Sequence, residues 1–179
     1  MKRRIGPVHI CIQRPQASTH AFSTSEELLQ NATGGIAQVF RYWNRVRGER
    51  VMPARSEIDF LELRPWLPGV VMTEVVGQPR EIVYRVVGER AIQLRGYDPT
   101  GMTVEKAGLG RSIALVLANY GVVIDLGIPL YGWSEVEQIG GGLSSHGTLL
   151  LPISGDGQQV DWVLGYVEDA AAHDWAWAR

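Results

Sequence analysis

The sequence predicts an α+β domain built on a single β-sheet, and the order of its segments carries this prediction. Residues 69–90 have the pattern of a strand hairpin, residues 110–123 that of a buried helix, and residues 128–167 that of three further strands. Two strands, a helical crossover and three more strands make one sheet whose face is covered by the crossover.

The hairpin has the clearest pattern. Its β-branched residues favour strand over helix, and Gly77, Gln78 and Pro79 supply turn residues between its two strands. Alternation predicts which side chains share a face. The two sets are Val71, Thr73 and Val75 in the first strand, and Ile82, Tyr84 and Val86 in the second.

The crossover and the later strands follow from shorter signals. We predict short helices at residues 57–64 and 91–96 and a longer one at residues 110–123, with a strand at residues 122–126 as the alternative to its last turn. Asp156 and Gly157 form a two-residue turn signal between the last two strands. The predicted strands are residues 128–136, 143–153 and 159–167.

The N-terminal part divides in two. Residues 1–22 lack periodicity and predict a disordered arm. Residues 23–48 predict an amphipathic helix that begins at a capping-box spacing, is kinked at Gly34-Gly35 and ends at Gly48. Its apolar stripe must pack on its own sheet or on a second subunit, and we expect the latter. The residues expected at that dimer or partner surface are Ile36, Phe40 and Trp43.

We therefore expect the folded domain to span residues 49–168, followed by a short terminal helix or tail at residues 169–179 that carries two tryptophans. The chain has 179 residues, which fits one domain. No further module fits after the last strand, so output would pass through a separate signalling protein or a homodimer.

Composition excludes several classes of protein. The net charge of −2 gives no global attraction to nucleic acid or to an anionic membrane. The single cysteine, Cys11, allows no internal disulfide and no cysteine-rich metal site. No apolar stretch approaches the ~18 residues of a membrane span, and the run at residues 8–12 is too short for a signal peptide. We expect a cytoplasmic protein.

Four sequence blocks, in order, resemble the short single-domain PAS proteins of alphaproteobacteria. They are Tyr42-Trp43 with Met52-Pro53-Ala54-Arg55, Ile58-Asp59 and Leu67-Pro68, then Tyr84-Arg85-Val86-Val87-Gly88, then Gly96 with Thr100-Gly101, and finally residues 149–153 with Val160-Asp161 and Leu164-Gly165. The resemblance implies a PAS-like five-stranded antiparallel sheet with helices on one face, together with a sensing or protein-interaction role and no fixed ligand.

The resemblance leaves the cofactor unknown. Related light sensors form a flavin adduct through a cysteine on a pocket helix, whereas Cys11 lies in the N-terminal arm. Haem sensing requires a histidine on the covering helix, and no histidine lies between Gly88 and Gly142. Both cofactors are therefore disfavoured, and His146 is the one histidine that keeps haem open.

No catalytic set is evident. Ser144, Ser145, His146 and Asp161 could be imagined as a hydrolase triad, but the GxSxG elbow is missing. The three glycines at residues 140–142 precede a predicted strand rather than the helix that a phosphate loop opens. We therefore predict no enzyme and no metal site, and an unrecognised small-molecule enzyme is the third and weakest hypothesis.

Aromatic residues on neighbouring strands, including Tyr166, indicate either a packed core or a ligand pocket. The favoured hypothesis is a regulatory domain that binds a small molecule or a partner protein, and the alternative is an interaction module with a filled core. The candidate pocket residues are Tyr84, Arg95, Tyr97, Tyr120, Trp133, His146 and Trp162.

Arginines are concentrated at residues 41–55, from the end of the predicted N-terminal helix into the segment that follows it. This basic run could contact phosphates or an acidic partner, or form a solvated helix face that suits the helix dipole, and we favour the solvated face. Its members are Arg41, Arg45, Arg47, Arg50 and Arg55.

Overall fold

The computed structural model describes residues 9–13, 19–26, 29, 34–107, 113–137 and 143–169. Its strands form one sheet in the order β1-β2-β5-β6-β7-β3-β4, and each neighbouring pair is antiparallel. The strands are β1 (His9–Gln13), β2 (Thr19–Ser23), β3 (Val70–Val76), β4 (Glu81–Val87), β5 (Leu130–Glu137), β6 (Leu143–Ile153) and β7 (Trp162–Asp169).

The five strands β5-β6-β7-β3-β4 are contiguous and confirm the predicted five-stranded antiparallel sheet. The longest crossover helix continues through residues 122–126, so the alternative of a strand there was wrong. The α-helices are α1 (Gly34–Arg47), α2 (Glu89–Arg95) and α3 (Ile113–Leu126). The short helix predicted at residues 57–64 was wrong, because this segment is a turn between two 3-10 turns, Arg55–Glu57 and Arg64–Gly69.

The N-terminal segment differs from the expected disordered arm, because β1 and β2 extend the sheet beyond β5. β2 pairs with β5 at Ala21 and Trp133, and β1 pairs with β2. Without β2, the outer edge of β5 would have unpaired backbone groups, which can pair with any nearby strand. Side-chain periodicity does not predict this pairing, because it depends on backbone groups that meet only in the folded chain. Residues 138–142 and 170–179, with the three glycines and the expected terminal helix, lie outside the described residues.

The two faces of the sheet carry different helices. Strand register places Tyr166, Leu149 and Tyr131 in one row, and α1 packs on this face, with Gly35 against the Tyr166 ring. Thr73 and Tyr84 form a cross-strand pair on the opposite face, where α2 and α3 lie. Tyr166 and Trp162 therefore lie on the α1 face and not under α3, contrary to our interpretation of the aromatic group. The Tyr166 hydroxyl also interacts with Arg90 at the start of α2.

Helix α1 is part of the monomer core. Ile36 is 1% exposed, and Phe40 and Trp43 are fully buried. The Trp43 indole Nε1 donates to the Pro152 carbonyl at 2.9 Å. The assignment of these three residues to a dimer or partner surface was wrong, because the apolar stripe is already buried on its own sheet. Each such side chain contributes roughly 1.5–3 kcal/mol through burial.

The start of α1 is held by the last strand. The Glu168 carboxylate accepts hydrogen bonds from the backbone N–H groups of Gly35 at 2.9 Å and Ile36 at 3.4 Å. A carboxylate at this position satisfies orphan donors and complements the helix dipole. The helix ends before Gly48, whose φ of 58° fits the predicted C-terminal glycine.

The β6–β7 connection is longer than the two-residue turn that Asp156 and Gly157 predicted. It spans residues 154–161, and side chains rather than a tight turn organise it. Ser154 Oγ accepts the Gly157 N–H at 2.6 Å, and Asp161 Oδ1 accepts the Gly155 N–H at 2.6 Å. Burial raises the pKa of the Asp161 carboxyl.

Candidate functional site

A tyrosine and an arginine meet on the face that the crossover helices cover. Tyr84 lies in β4 and is 2% exposed, and Arg95 is the last residue of α2. The Arg95 Nη2 donates to the Tyr84 hydroxyl at 2.9 Å, and the guanidinium also lies 5.3 Å from the Tyr84 ring centroid. A second donor of Arg95 reaches the Ala91 carbonyl at 3.2 Å. This local contact holds the guanidinium against the sheet.

A second tyrosine approaches the same point from α3. Tyr120 is 5% exposed, and its hydroxyl lies close to Thr73, which is fully buried and donates to the Val163 carbonyl at 3.5 Å. Thr73 also pairs with Tyr84 across β3 and β4. Thr73, Tyr84, Arg95 and Tyr120 thus form one buried polar cluster, named here the tyrosine–arginine cluster.

Burial sets the ionisation of this cluster. Desolvation raises the pKa of the Tyr84 hydroxyl, and the neighbouring Arg95 charge lowers it by less. Desolvation also raises the pKa of the Tyr120 hydroxyl, and the nearby Tyr84 hydroxyl raises this pKa further. Both phenols are therefore neutral at physiological pH and can donate or accept a hydrogen bond. Together with one guanidinium, they suit a hydrogen-bond acceptor or an anionic group.

The remaining predicted pocket residues are distributed over both faces. Tyr97 follows α2, is 37% exposed, and donates to the Ala107 carbonyl at 3.0 Å, so it borders the cluster. Trp133 pairs with Gly147 and shares the α1 face, as does Trp162. Neither tryptophan joins the cluster, because strand alternation directs both side chains to the other side of the sheet.

His146 shares the face of the cluster but lies far along β6. Pro152 lies in the same row as Val163 and Thr73. His146 is six positions before Pro152 in β6, which places it about 20 Å away along the strand. Its Nδ1 lies 3.2 Å from Asp169 Oδ1. Desolvation lowers the pKa of His146, and Asp169 opposes this shift.

Thr73 is the residue of the cluster that we did not select from the sequence. The signal was present, because Thr73 is the one hydroxyl residue between Val71 and Val75 on an apolar strand face. A buried hydroxyl normally has a partner, so a polar residue in that pattern points to a polar neighbour.

Helix α3 leaves much of its apolar surface incompletely covered. Of its 14 residues only Tyr120 and Val123 are buried. A helix that is apolar on all sides is usually buried on all sides. Its half-buried apolar residues are Ile113, Leu115, Val116, Leu117, Val122 and Ile124.

The positions of the cysteine and histidines bear on cofactor binding. Cys11 lies in the edge strand β1, paired with Ala21, and not on α2 or α3. Among the described residues, no three histidine, cysteine, aspartate or glutamate side chains gather as metal ligands. Within the same ranges no helix has the length and hydropathy needed to cross a membrane.

Comparison with solved structures gives distant similarities. The Rhodobacter sphaeroides LOV protein has a TM-score of 0.46 and 19% identity, over 64% of this chain and 70% of that chain. A variant of RsLOV has a TM-score of 0.43 and 18% identity, over 63% and 68%. An RNA-binding light-oxygen-voltage receptor has a TM-score of 0.43 and 14% identity, over 65% of this chain and 35% of that receptor.

The family comparison is more direct. No curated protein matches the chain, but the family model described as "PAS domain" matches residues 33–168. That range is more than half of the chain and includes α1 with the sheet and crossover helices. The chain therefore belongs to the PAS domain family and is a sensory and signalling domain.

Proposed function

We propose that this chain is a regulatory PAS domain that binds a small molecule between the sheet and helices α2 and α3. The observation that carries the proposal is the tyrosine–arginine cluster, a group of buried polar side chains under partly covered apolar helices. Small-molecule sites have this composition, with apolar walls and a few convergent polar groups.

The cluster specifies the chemistry of the ligand. Arg95 provides a permanent positive charge, and the hydroxyls of Tyr84 and Tyr120 provide neutral donors beside it. A carboxylate or similar acceptor would bind at these groups. The half-buried apolar residues of α3 would cover an apolar body.

A second candidate is an interaction module with a filled core. It is favoured by the fact that polar groups of the cluster already have partners within the chain, Arg95 with Tyr84 and Thr73 with the Val163 carbonyl. In that case the incompletely covered surface of α3 would bind a separate signalling protein or a second copy of the chain.

We infer a regulatory rather than a catalytic role. A general acid or base works best when its pKa lies near the operating pH, and burial moves the pKa values of Tyr84 and Tyr120 away from it. We place the protein in the cytoplasm, since one cysteine makes no internal disulfide. The resemblance to alphaproteobacterial members remains a prediction.

Native mass spectrometry of freshly purified protein, compared with its denatured mass, tests the proposal. A mass excess that disappears on denaturation is expected and would identify the ligand. The same spectrum separates monomer from dimer. A bare native mass, with no rise in melting temperature across a panel of small carboxylic acids, would contradict ligand binding, because a ligand of the folded state must stabilise it.

A pair of arginine variants localises the site. Arg95→Ala should remove the mass excess, while Arg64→Ala, at an exposed arginine in the 3-10 turn Arg64–Gly69, should retain it. Circular dichroism must show both variants folded. Retention of the ligand by Arg95→Ala would place the binding site elsewhere.

A further inference from the structure

A half-buried arginine lies between two aromatic rings on the α1 side of the sheet, away from the tyrosine–arginine cluster. The Arg55 guanidinium is 5.4 Å from the Phe60 ring centroid and 5.1 Å from the Trp162 ring centroid. Its backbone is fixed to the β6–β7 connection, because the Arg55 N–H donates to the Ser154 carbonyl at 2.7 Å. The two rings and this hydrogen bond hold the guanidinium in one place.

The guanidinium N–H groups of Arg55 have no hydrogen-bond acceptor within the described part of the chain. Its Nε is buried and has no hydrogen-bond acceptor there, and no ion pair involves its terminal nitrogens. A guanidinium is always charged and presents five N–H groups, so a buried N–H without an acceptor is unfavourable. The terminal nitrogens Nη1 and Nη2, unlike Nε, are accessible, and they leave an end-on fork that a carboxylate would complete.

Other arginines of the basic run differ in this respect. Arg45 pairs with Glu62, and two further pairs, Arg47 with Glu26 at 2.8 Å and Arg50 with Glu57 at 2.9 Å, follow the same pattern. Arg45 and Arg50 are more than half exposed, as expected for the solvated helix face that we favoured, whereas Arg47 is 18% exposed and lies over the Trp43 ring. Arg55 is the member whose position between rings the solvated face does not explain.

Neighbouring acids of the same segment are engaged elsewhere. Glu57 binds Arg50 and accepts the Ala54 N–H at 2.7 Å. Asp59 Oδ1 accepts the Leu61 N–H at 2.8 Å. A carboxylate for Arg55 must therefore come from outside this segment.

One large apolar residue close to Arg55 in the chain is exposed. Leu61 follows Phe60 in the chain and is 81% exposed, the highest value among the described large apolar residues that are exposed. Arginine and tryptophan are enriched where binding energy is concentrated in protein interfaces. An arginine between rings beside an exposed leucine has the composition of such a contact.

We propose that Arg55, held between Phe60 and Trp162, docks an acidic segment of a partner protein. A carboxylate of the partner binds the guanidinium fork, and an adjacent apolar residue of the partner contacts Leu61. This surface, the Arg55 clamp, is separate from the ligand site and does not depend on it.

Titration of ¹⁵N-labelled protein with a synthetic peptide tests the Arg55 clamp. The probe is a capped peptide of the repeat Gly-Glu-Glu-Leu, and the control peptide has glutamine in place of each glutamate. We expect the acidic peptide to shift the Arg55 Nε–H and Trp162 indole cross-peaks saturably and the glutamine peptide to bind about tenfold more weakly. Unshifted cross-peaks, or equal affinities, would overturn the proposal.

Three variants complete the test. Arg55→Lys keeps the charge but loses the fork, so affinity should fall about tenfold, whereas Arg64→Lys should bind as the wild type does. Leu61→Ser cannot disturb the core, because Leu61 is 81% exposed, and should weaken binding severalfold. Unchanged affinity in both Arg55→Lys and Leu61→Ser would overturn the assignment.

Discussion

The two faces of the sheet are packed in different ways. On the α1 face, Ile36, Phe40 and Trp43 of the helix are at most 1% exposed, and Gly35 lies directly against Tyr166. On the other face, α3 buries only Tyr120 and Val123, and a polar cluster lies beneath it. Close packing leaves no room for alternative contacts directly under α1, so this helix and the strands beneath it serve stability. The α3 face retains contacts that a ligand or partner could replace.

The largest expected effect is on the α1 face. Trp43→Ala should lower the free energy of unfolding by about 3–5 kcal/mol, because the indole is fully buried and its Nε1 donates to Pro152. Urea unfolding measures the change. Leu117→Ala, at a half-buried position of α3, should cause a smaller loss in the free energy of unfolding. We expect the two losses to differ by at least about 1 kcal/mol. Equal losses would remove the contrast between the two faces.

Glycine-to-alanine changes in the two helices should have opposite signs. At Gly35 a Cβ would lie 2.1 Å from the Tyr166 hydroxyl oxygen and 2.6 Å from Glu168 Oε2. The Tyr166 ring is also confined by Gly69, so Gly35→Ala should destabilise by about 1–3 kcal/mol. At Gly121 the nearest neighbour of a Cβ would be Asp125 Oδ2 at 3.9 Å.

Gly121→Ala should therefore stabilise the protein by about 0.5–1 kcal/mol, because alanine favours helix and nothing opposes the new methyl group. Thermal unfolding of both variants and the wild type measures the signs. Destabilisation by Gly121→Ala would show that α3 is packed as tightly as α1.

Hydroxyl removal tests the two faces for binding rather than for stability. Tyr120→Phe should destabilise by about 1 kcal/mol through the loss of the polar contact of its hydroxyl with Thr73, and it should also reduce the ligand retained in native mass spectra. Tyr42→Phe in α1 removes a hydroxyl that accepts the Asp59 N–H at 2.7 Å. Tyr42→Phe should lower the free energy of unfolding by a similar amount and leave ligand retention unchanged. A loss of ligand in both variants would indicate a global effect.

The smallest expected effect depends on pH. Because burial lowers the pKa of His146 in the folded state, the unfolded chain binds the proton more readily and stability falls as pH drops below the unfolded pKa of about 6.5. The wild type should lose stability between pH 7.5 and pH 5.5, and His146→Gln should lose less. Parallel pH profiles for the two proteins would show that His146 does not contribute.

Local signals predicted the elements well where they determine backbone conformation. The β-branched alternation at Val71, Thr73 and Val75 gave β3, and Gly96, with a φ of 77°, ends α2 as expected. The cluster was predicted in part, since Tyr84, Arg95 and Tyr120 meet while Trp133 and Trp162 lie on the other face. Alternation defines which residues share a face but not which helix covers it.

By itself, the sequence determined the α+β class, the five-strand order of elements and the amphipathic stripe of α1. These depend on spacing and on local backbone preferences. The tertiary structure alone decided that Ile36, Phe40 and Trp43 are buried within the monomer and that β1 and β2 extend the sheet. It also decided that Arg55 lies between two rings. Such outcomes depend on which surfaces meet, because an apolar stripe, an open strand edge and a charged side chain each accept more than one partner.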